Sequence, residues 1–172
     1  MNTYERFITA CQEGSLVGVQ RCLDNGLDID FENDKPLREV CYYGHIKIVK
    51  YLLESGANPS AYDYTDVMIS TPILAACSRG FLEIVKLLIE YGADTEDTDY
   101  SCLGMACYYG YFDIVKYLIQ CGISIHHTCG IDDYEPFEYA YKSSHYEITR
   151  YLLKLGANVQ IRNNEALRWA IR

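Results

Sequence analysis

Five glycine-centred units recur along the chain, and their spacing constrains the fold more than any other feature. Gly14, Gly44, Gly80, Gly110 and, in the fifth unit, Ser144 each stand twelve residues before a glycine, namely Gly26, Gly56, Gly92, Gly122 and Gly156. That interval is the same in all five copies. From one unit to the next the distance is 30, 36, 30 and 34 residues, so every insertion falls in one kind of connection. A rigid element joined by variable loops, repeating at a period of a few tens of residues, is the mark of a solenoid.

Within each unit the residues between the two glycines read as an amphipathic helix. Ile84, Val85, Leu87 and Leu88 fall at i, i+1, i+3 and i+4; Ile48, Val49, Tyr51 and Leu52 repeat the stripe, as do Ile114, Val115, Tyr117 and Leu118. The closing glycine suits a left-handed C-terminal cap, where a β-carbon is costly. Ahead of it lies a shorter helix such as Thr71–Cys77, with Pro72 in the first turn, where a missing N–H is harmless. Ala75, Ala76 and Cys77 are small enough for two helices to approach closely. Cys11, Cys41, Cys77 and Cys107 all stand three residues before the first glycine or its counterpart, a repeated small buried position rather than half of a disulfide framework. With four of the eight cysteines read this way, a reducing intracellular setting, such as the cytoplasm, is expected.

The copy from Thr71 to Asp94 runs Thr-Pro-Ile-Leu-Ala-Ala-Cys-Ser-Arg-Gly-Phe-Leu-Glu-Ile-Val-Lys-Leu-Leu-Ile-Glu-Tyr-Gly-Ala-Asp. It resembles the ankyrin repeat, whose pattern is Thr-Pro-Leu-His, two alanines, Gly-His, Val-Val-Lys-Leu-Leu-Leu and Gly-Ala-Asp. Pro36-Leu37, Gly44-His45 and Gly56-Ala57-Asn58 mark the second copy, Leu152-Leu153 and Gly156-Ala157-Asn158 the fifth. The resemblance implies an all-α ankyrin repeat solenoid in one domain over residues 1–172. Repeats are expected at about 4–30, 35–60, 71–96, 101–126 and 135–160, with a terminal half repeat at 165–172. The Tyr-, Ile- and Cys-rich style is similar to the ankyrin families of giant DNA viruses. One departure recurs: the histidine of Thr-Pro-Leu-His is replaced by Ile8, Arg38, Leu74, Gly104 and Glu138.

The resemblance implies a non-catalytic module that binds a protein partner through a concave face made of loop tips and the ends of the first helices. Residue by residue, that face carries Gln12 and Glu13, Tyr42 and Tyr43, Ser78 and Arg79, Tyr108 and Tyr109, and Lys142 and Ser143 at the helix ends. The loops add Phe31, Glu32 and Asp34; Tyr62, Tyr64 and Met68; Asp97, Asp99 and Tyr100; and Asp132, Asp133 and Tyr134. The 36-residue spacing lengthens the loop holding Tyr62 and Tyr64, which should project furthest. Adjacent residues on a helix point about 100° apart, so a helix-end pair cannot bury both members in one place.

Charge gives this surface a sign. The chain carries a net −9, and the five inter-repeat loops hold 14 acidic against two basic residues, leaving a slight positive excess elsewhere. A phosphate backbone demands the opposite sign, so nucleic acid is an unsuitable partner. No apolar run reaches the roughly 18 residues of a membrane span. Acidic loops and 17 tyrosines, a residue that offers large contact area at low entropic cost, point to a monomeric binder of a basic protein segment. Two other readings stand beside it. One is a viral adaptor for host ubiquitin ligation. The other is a metal-binding protein or enzyme centred on His126, His127 and Cys129, near Cys121, although zinc normally takes four ligands with paired close spacings. No catalytic motif is legible, so no enzymatic activity and no cofactor are expected. Tyr51, Tyr117 and Tyr151 are expected in helix packing rather than on the binding face.

Overall fold

The computed structural model describes residues 2–63, 70–95, 101–128 and 134–158. Among them are ten helices: α1 (Thr3–Gln12), α2 (Leu16–Asp24), α3 (Phe31–Tyr43), α4 (Ile46–Glu54), α5 (Pro72–Arg79), α6 (Leu82–Glu90), α7 (Cys102–Tyr109), α8 (Phe112–Gln120), α9 (Pro136–Lys142) and α10 (Tyr146–Lys154). They form five helix–turn–helix pairs, each built on one of the glycine units. The half repeat expected at 165–172 lies outside the described residues.

Contacts group the chain into two compact units, residues 1–95 and 96–172. In the first, α1 packs on α3 and α3 on α5, while α2 packs on α4 and α4 on α6, so first and second helices form separate layers. In the second, α7 packs on α9 and α8 on α10 in the same two-layer manner.

Local chemistry starts and stops these helices where the sequence pattern places them. Thr71 Oγ1 accepts from the Leu74 N–H at 3.2 Å and Ser101 Oγ from the Gly104 N–H at 2.9 Å, each satisfying an amide the first turn leaves unpaired. Pro72 occupies the first turn of α5. The second helices end at glycines in the left-handed region. Two of the first helices are buried along most of their length, α5 from Pro72 to Ser78 and α7 from Cys102 to Cys107, whereas Thr3–Arg6 of α1 are exposed. Cys11, Cys41, Cys77 and Cys107 lie in this inner layer, all buried and none in a disulfide. Burial pushes the Cys11 thiol up to about 12 and raises Cys41 as well, leaving both protonated and inert at neutral pH. Of the stripe on the second helices, Ile48, Val49 and Leu52, then Ile84, Val85 and Leu88, are inaccessible. Tyr51, Tyr117 and Tyr151 are only half-buried; Tyr151 sets its ring edge-on to Phe112 at 5.2 Å between centroids.

A ring-on-glycine contact fastens one repeat to the next. The His45 imidazole lies against Gly14, and its Nε2–H donates to the Gln12 carbonyl at 2.9 Å. In the second unit His145 covers Gly110 and donates to the Tyr108 carbonyl at 2.9 Å. A β-carbon at Gly14 would stand 2.6 Å from His45 Cε1, and Gly14 sits at φ +74°. Only glycine meets both demands.

Candidate functional site

The first-helix ends are the positions at which each repeat presents side chains beside its neighbour. In the first unit Tyr43 is 45% exposed and Tyr42 half-buried, with their rings edge-to-face at 5.3 Å. The guanidinium of the exposed Arg79, at the end of α5, stands 4.9 Å from the Tyr42 ring centroid. Ser78, expected on this surface, is instead buried, its hydroxyl bonded to the Ala75 carbonyl at 2.8 Å. The reason is the 100° step between neighbours: Arg79 takes the outward direction and Ser78 turns into the layer.

In the second unit both members of the pair are exposed, Tyr108 at 48% and Tyr109 at 38%. They begin an aromatic cluster. Tyr139 on α9 stands nearly perpendicular to Tyr108 at 6.2 Å and to Tyr134 at 5.6 Å. Tyr109 stacks towards Tyr111 at 6.3 Å. Lys142, at the end of α9, holds its ammonium 3.6 Å from the Tyr134 ring centroid and bonds the Tyr134 hydroxyl. Lys142 holds the repeat position of Tyr42, Ser78 and Tyr108 and is among the helix-end residues read from the sequence, whereas Tyr139 is not: it stands five residues before Ser144, where the other copies have Thr9, Glu39, Ala75 and Met105, so the repeat pattern gives no signal for it.

The loop residues divide. Phe31 stacks on Tyr4 at 4.1 Å, and both line a cleft of about 390 Å³ with Ile8, Thr9, Glu32 and Lys35. Glu32 is exposed and paired with Lys35 at 2.7 Å. Asp34, expected at the surface, is only 4% exposed, and its Oδ1 accepts the Asn58 N–H at 3.1 Å. Burial raises its carboxyl to about 6, against the lowering effect of that hydrogen bond. Tyr62 is half-buried. Tyr134 is half-buried within the cluster described above. Tyr64, Met68, Asp97, Asp99, Tyr100, Asp132 and Asp133 lie outside the described residues.

Residues 31–34 are not an open loop. Glu32, Asn33 and Asp34 take φ values of 47°, 53° and 55°, a left-handed turn that costs roughly 1–2 kcal/mol per non-glycine residue. Arg38 explains how it persists. Its buried guanidinium donates to the carbonyls of Glu32 and Asn33 and to the Asp63 carboxylate at 2.6 Å. At the same repeat position Glu138 accepts the Glu135 N–H at 3.1 Å. The two charged residues standing where the common pattern has histidine thus tie the preceding loop to the start of the first helix. Part of the loop acidity is spent in this way: Asp34, Asp63 and Glu135 serve the fold.

The possible metal loop does not converge. His126 is exposed, His127 half-buried and Cys121 exposed, while Cys129 lies outside the described residues. Among the described residues no group of three metal-ligating side chains comes together. His126 Nδ1 stands 3.7 Å from the Glu135 Oε2.

The helix pairs, the left-handed glycines and the ring-on-glycine contacts describe one repeated unit, and comparison with known families names it. Three ankyrin models match: ankyrin repeats in several copies at residues 65–129 and 37–89, and a single ankyrin repeat at 134–164. The chain belongs to the ankyrin repeat family. Together the matches cover more than half of it, including the fifth copy, where Ser144 replaces the glycine. No curated protein matches the chain. Ankyrin repeats generally mediate protein–protein interaction and are generally non-catalytic. No described helix of this ankyrin chain is long and apolar enough to cross a membrane.

Proposed function

We propose that this ankyrin chain is a non-catalytic binding module that captures a basic segment of a partner protein through its first-helix ends and acidic loops. The observation that carries the proposal is the exposure of large aromatic side chains at the ends of first helices: Tyr43, Tyr108 and Tyr109. An exposed tyrosine keeps an apolar ring in water without benefit to the fold, and a partner that covers it recovers that area. The charge argument supplies the sign of the partner. Asp28, Asp30, Glu32 and Asp94 are exposed among the described residues, Glu32 beside Lys35. A field of one sign accelerates association with a complementary segment.

Affinity capture from cell lysate, repeated over a salt series, tests this reading. The expected partner carries a Lys- or Arg-rich segment and elutes as salt rises. Tyr43→Ala with Tyr108→Ala should weaken its capture, and so should charge reversal at Asp97, Asp99, Asp132 and Asp133. Capture that is indifferent to salt and to both sets of changes would remove the acidic, tyrosine-lined surface from the explanation.

A further inference from the structure

The second unit carries a group of rings that already holds a cation. Tyr139 stands at 86° to Tyr108 and at 78° to Tyr134, so each of these two rings makes a wall at about a right angle to Tyr139 instead of lying in a flat stack. The Lys142 ammonium occupies one wall, over Tyr134 and bonded to its hydroxyl. Tyr108 forms another wall and remains 48% exposed. Ring faces are negative and attract ammonium and guanidinium groups within about 6 Å, more strongly as water is excluded. Lys142 is itself exposed, on a long flexible stem, so solvent can receive its ammonium when a better-held cation takes its place on the rings.

We propose that Tyr108, Tyr134 and Tyr139 form a receptor for a single arginine or lysine side chain of a partner segment, and that Lys142 is its internal, displaceable occupant. This rests on the reading of the chain as a binder of basic segments and gives that reading one definite contact. The incoming cation lies against Tyr108 and competes with Lys142 for the electron-rich ring faces. Arginine suits the site better than lysine, because its planar guanidinium stacks on a ring and sheds water more easily. Lys142 thereby discriminates against weakly held cations, which cannot displace it.

The test is a binding titration of the full chain with a short fluorescent arginine–glycine peptide, and with the same peptide carrying neutral citrulline in place of arginine. Five proteins are compared: wild type, Lys142→Met, Lys154→Met, Tyr108→Leu and Tyr108→Phe. Lys154 is an exposed lysine on α10, and its variant matches the charge change without touching the rings. Lys142→Met is expected to tighten arginine-peptide binding about three- to tenfold beyond Lys154→Met, the range of one cation–ring contact. Tyr108→Leu should weaken it about threefold or more, whereas Tyr108→Phe, which keeps the ring, should stay within about twofold of wild type. Citrulline peptide should bind none of them measurably. Equal tightening by the two lysine variants overturns the proposal, because charge alone then accounts for it. Binding that ignores Tyr108→Leu also overturns it while leaving the broader reading intact. No arginine-peptide binding by wild type or by Lys142→Met overturns both.

Discussion

An alanine at Gly14 probes how one repeat is fastened to the next, and its cost can be worked out in two parts. The first part is local. At φ +74° an alanine sits in the left-handed region at roughly 1–2 kcal/mol. The second part is the neighbour. The new methyl would stand 2.6 Å from His45 Cε1 and 2.7 Å from Nδ1, so the imidazole must move. Movement breaks its 2.9 Å hydrogen bond to the Gln12 carbonyl, worth about 1 kcal/mol, and opens the contact behind it. Gly14→Ala should therefore destabilise the chain by about 2–4 kcal/mol in urea unfolding followed by circular dichroism. In a His45→Ala background only the backbone part should survive, about 1–2 kcal/mol. The coupling between the two changes is then on the order of 1–2 kcal/mol, well above the few tenths expected of independent sites. If Gly14→Ala cost the same with and without the His45 ring, the ring-on-glycine contact would not be what selects glycine here.

Two further predictions concern the left-handed turn in the first residues of α3. Arg38→Met removes a buried cation from Asp63 and from two carbonyls, and should cost about 3–5 kcal/mol of stability in the same unfolding assay. Adding Asp63→Leu should recover part of that loss by removing the stranded carboxylate; a loss under about 1 kcal/mol for Arg38→Met would mean the turn holds without its clamp. Asp34 gives a pH signature. Its carboxyl is raised from 3.8 to about 6 by burial, so between those values the folded chain binds more protons than the unfolded chain. The contribution to stability is therefore full at low pH and falls as pH rises through the window. Asp34→Asn keeps an acceptor for the Asn58 N–H and abolishes the charge. It should be more stable than wild type at neutral pH and show a flatter stability profile across that window; an unchanged profile refutes the assignment.

The repeat itself was readable without coordinates because it rests on local rules. A glycine at a fixed interval marks a helix end that needs a left-handed residue, and the i, i+3, i+4 stripe marks a buried helix face. Both are properties of a few neighbouring residues, so helix pairs, caps and buried cysteines followed from spacing. Surface composition was also legible, which is why Tyr43, Arg79, Tyr108 and Tyr109 were found as exposed helix-end residues. What failed was the assumption that a polar residue in a loop or at a helix end faces water. Asp34 and Ser78 are hidden because the backbone beside them supplies partners, an amide from Asn58 and the carbonyl of Ala75.

By itself, the sequence determined the all-α repeat architecture, the positions of its turns and the excess of acid in its loops. Those depend on residue type and interval along the chain. Only the tertiary structure decided which of those acids are available to a partner and which serve the fold. Pairing Arg38 with Asp63 spans 25 residues, and ordering Tyr108, Tyr134, Tyr139 and Lys142 into one cluster requires α7 to meet α9 and the residue Tyr134 just ahead of it. Distances of that kind are set when helices pack, because packing chooses among side-chain directions that the local pattern leaves equally open.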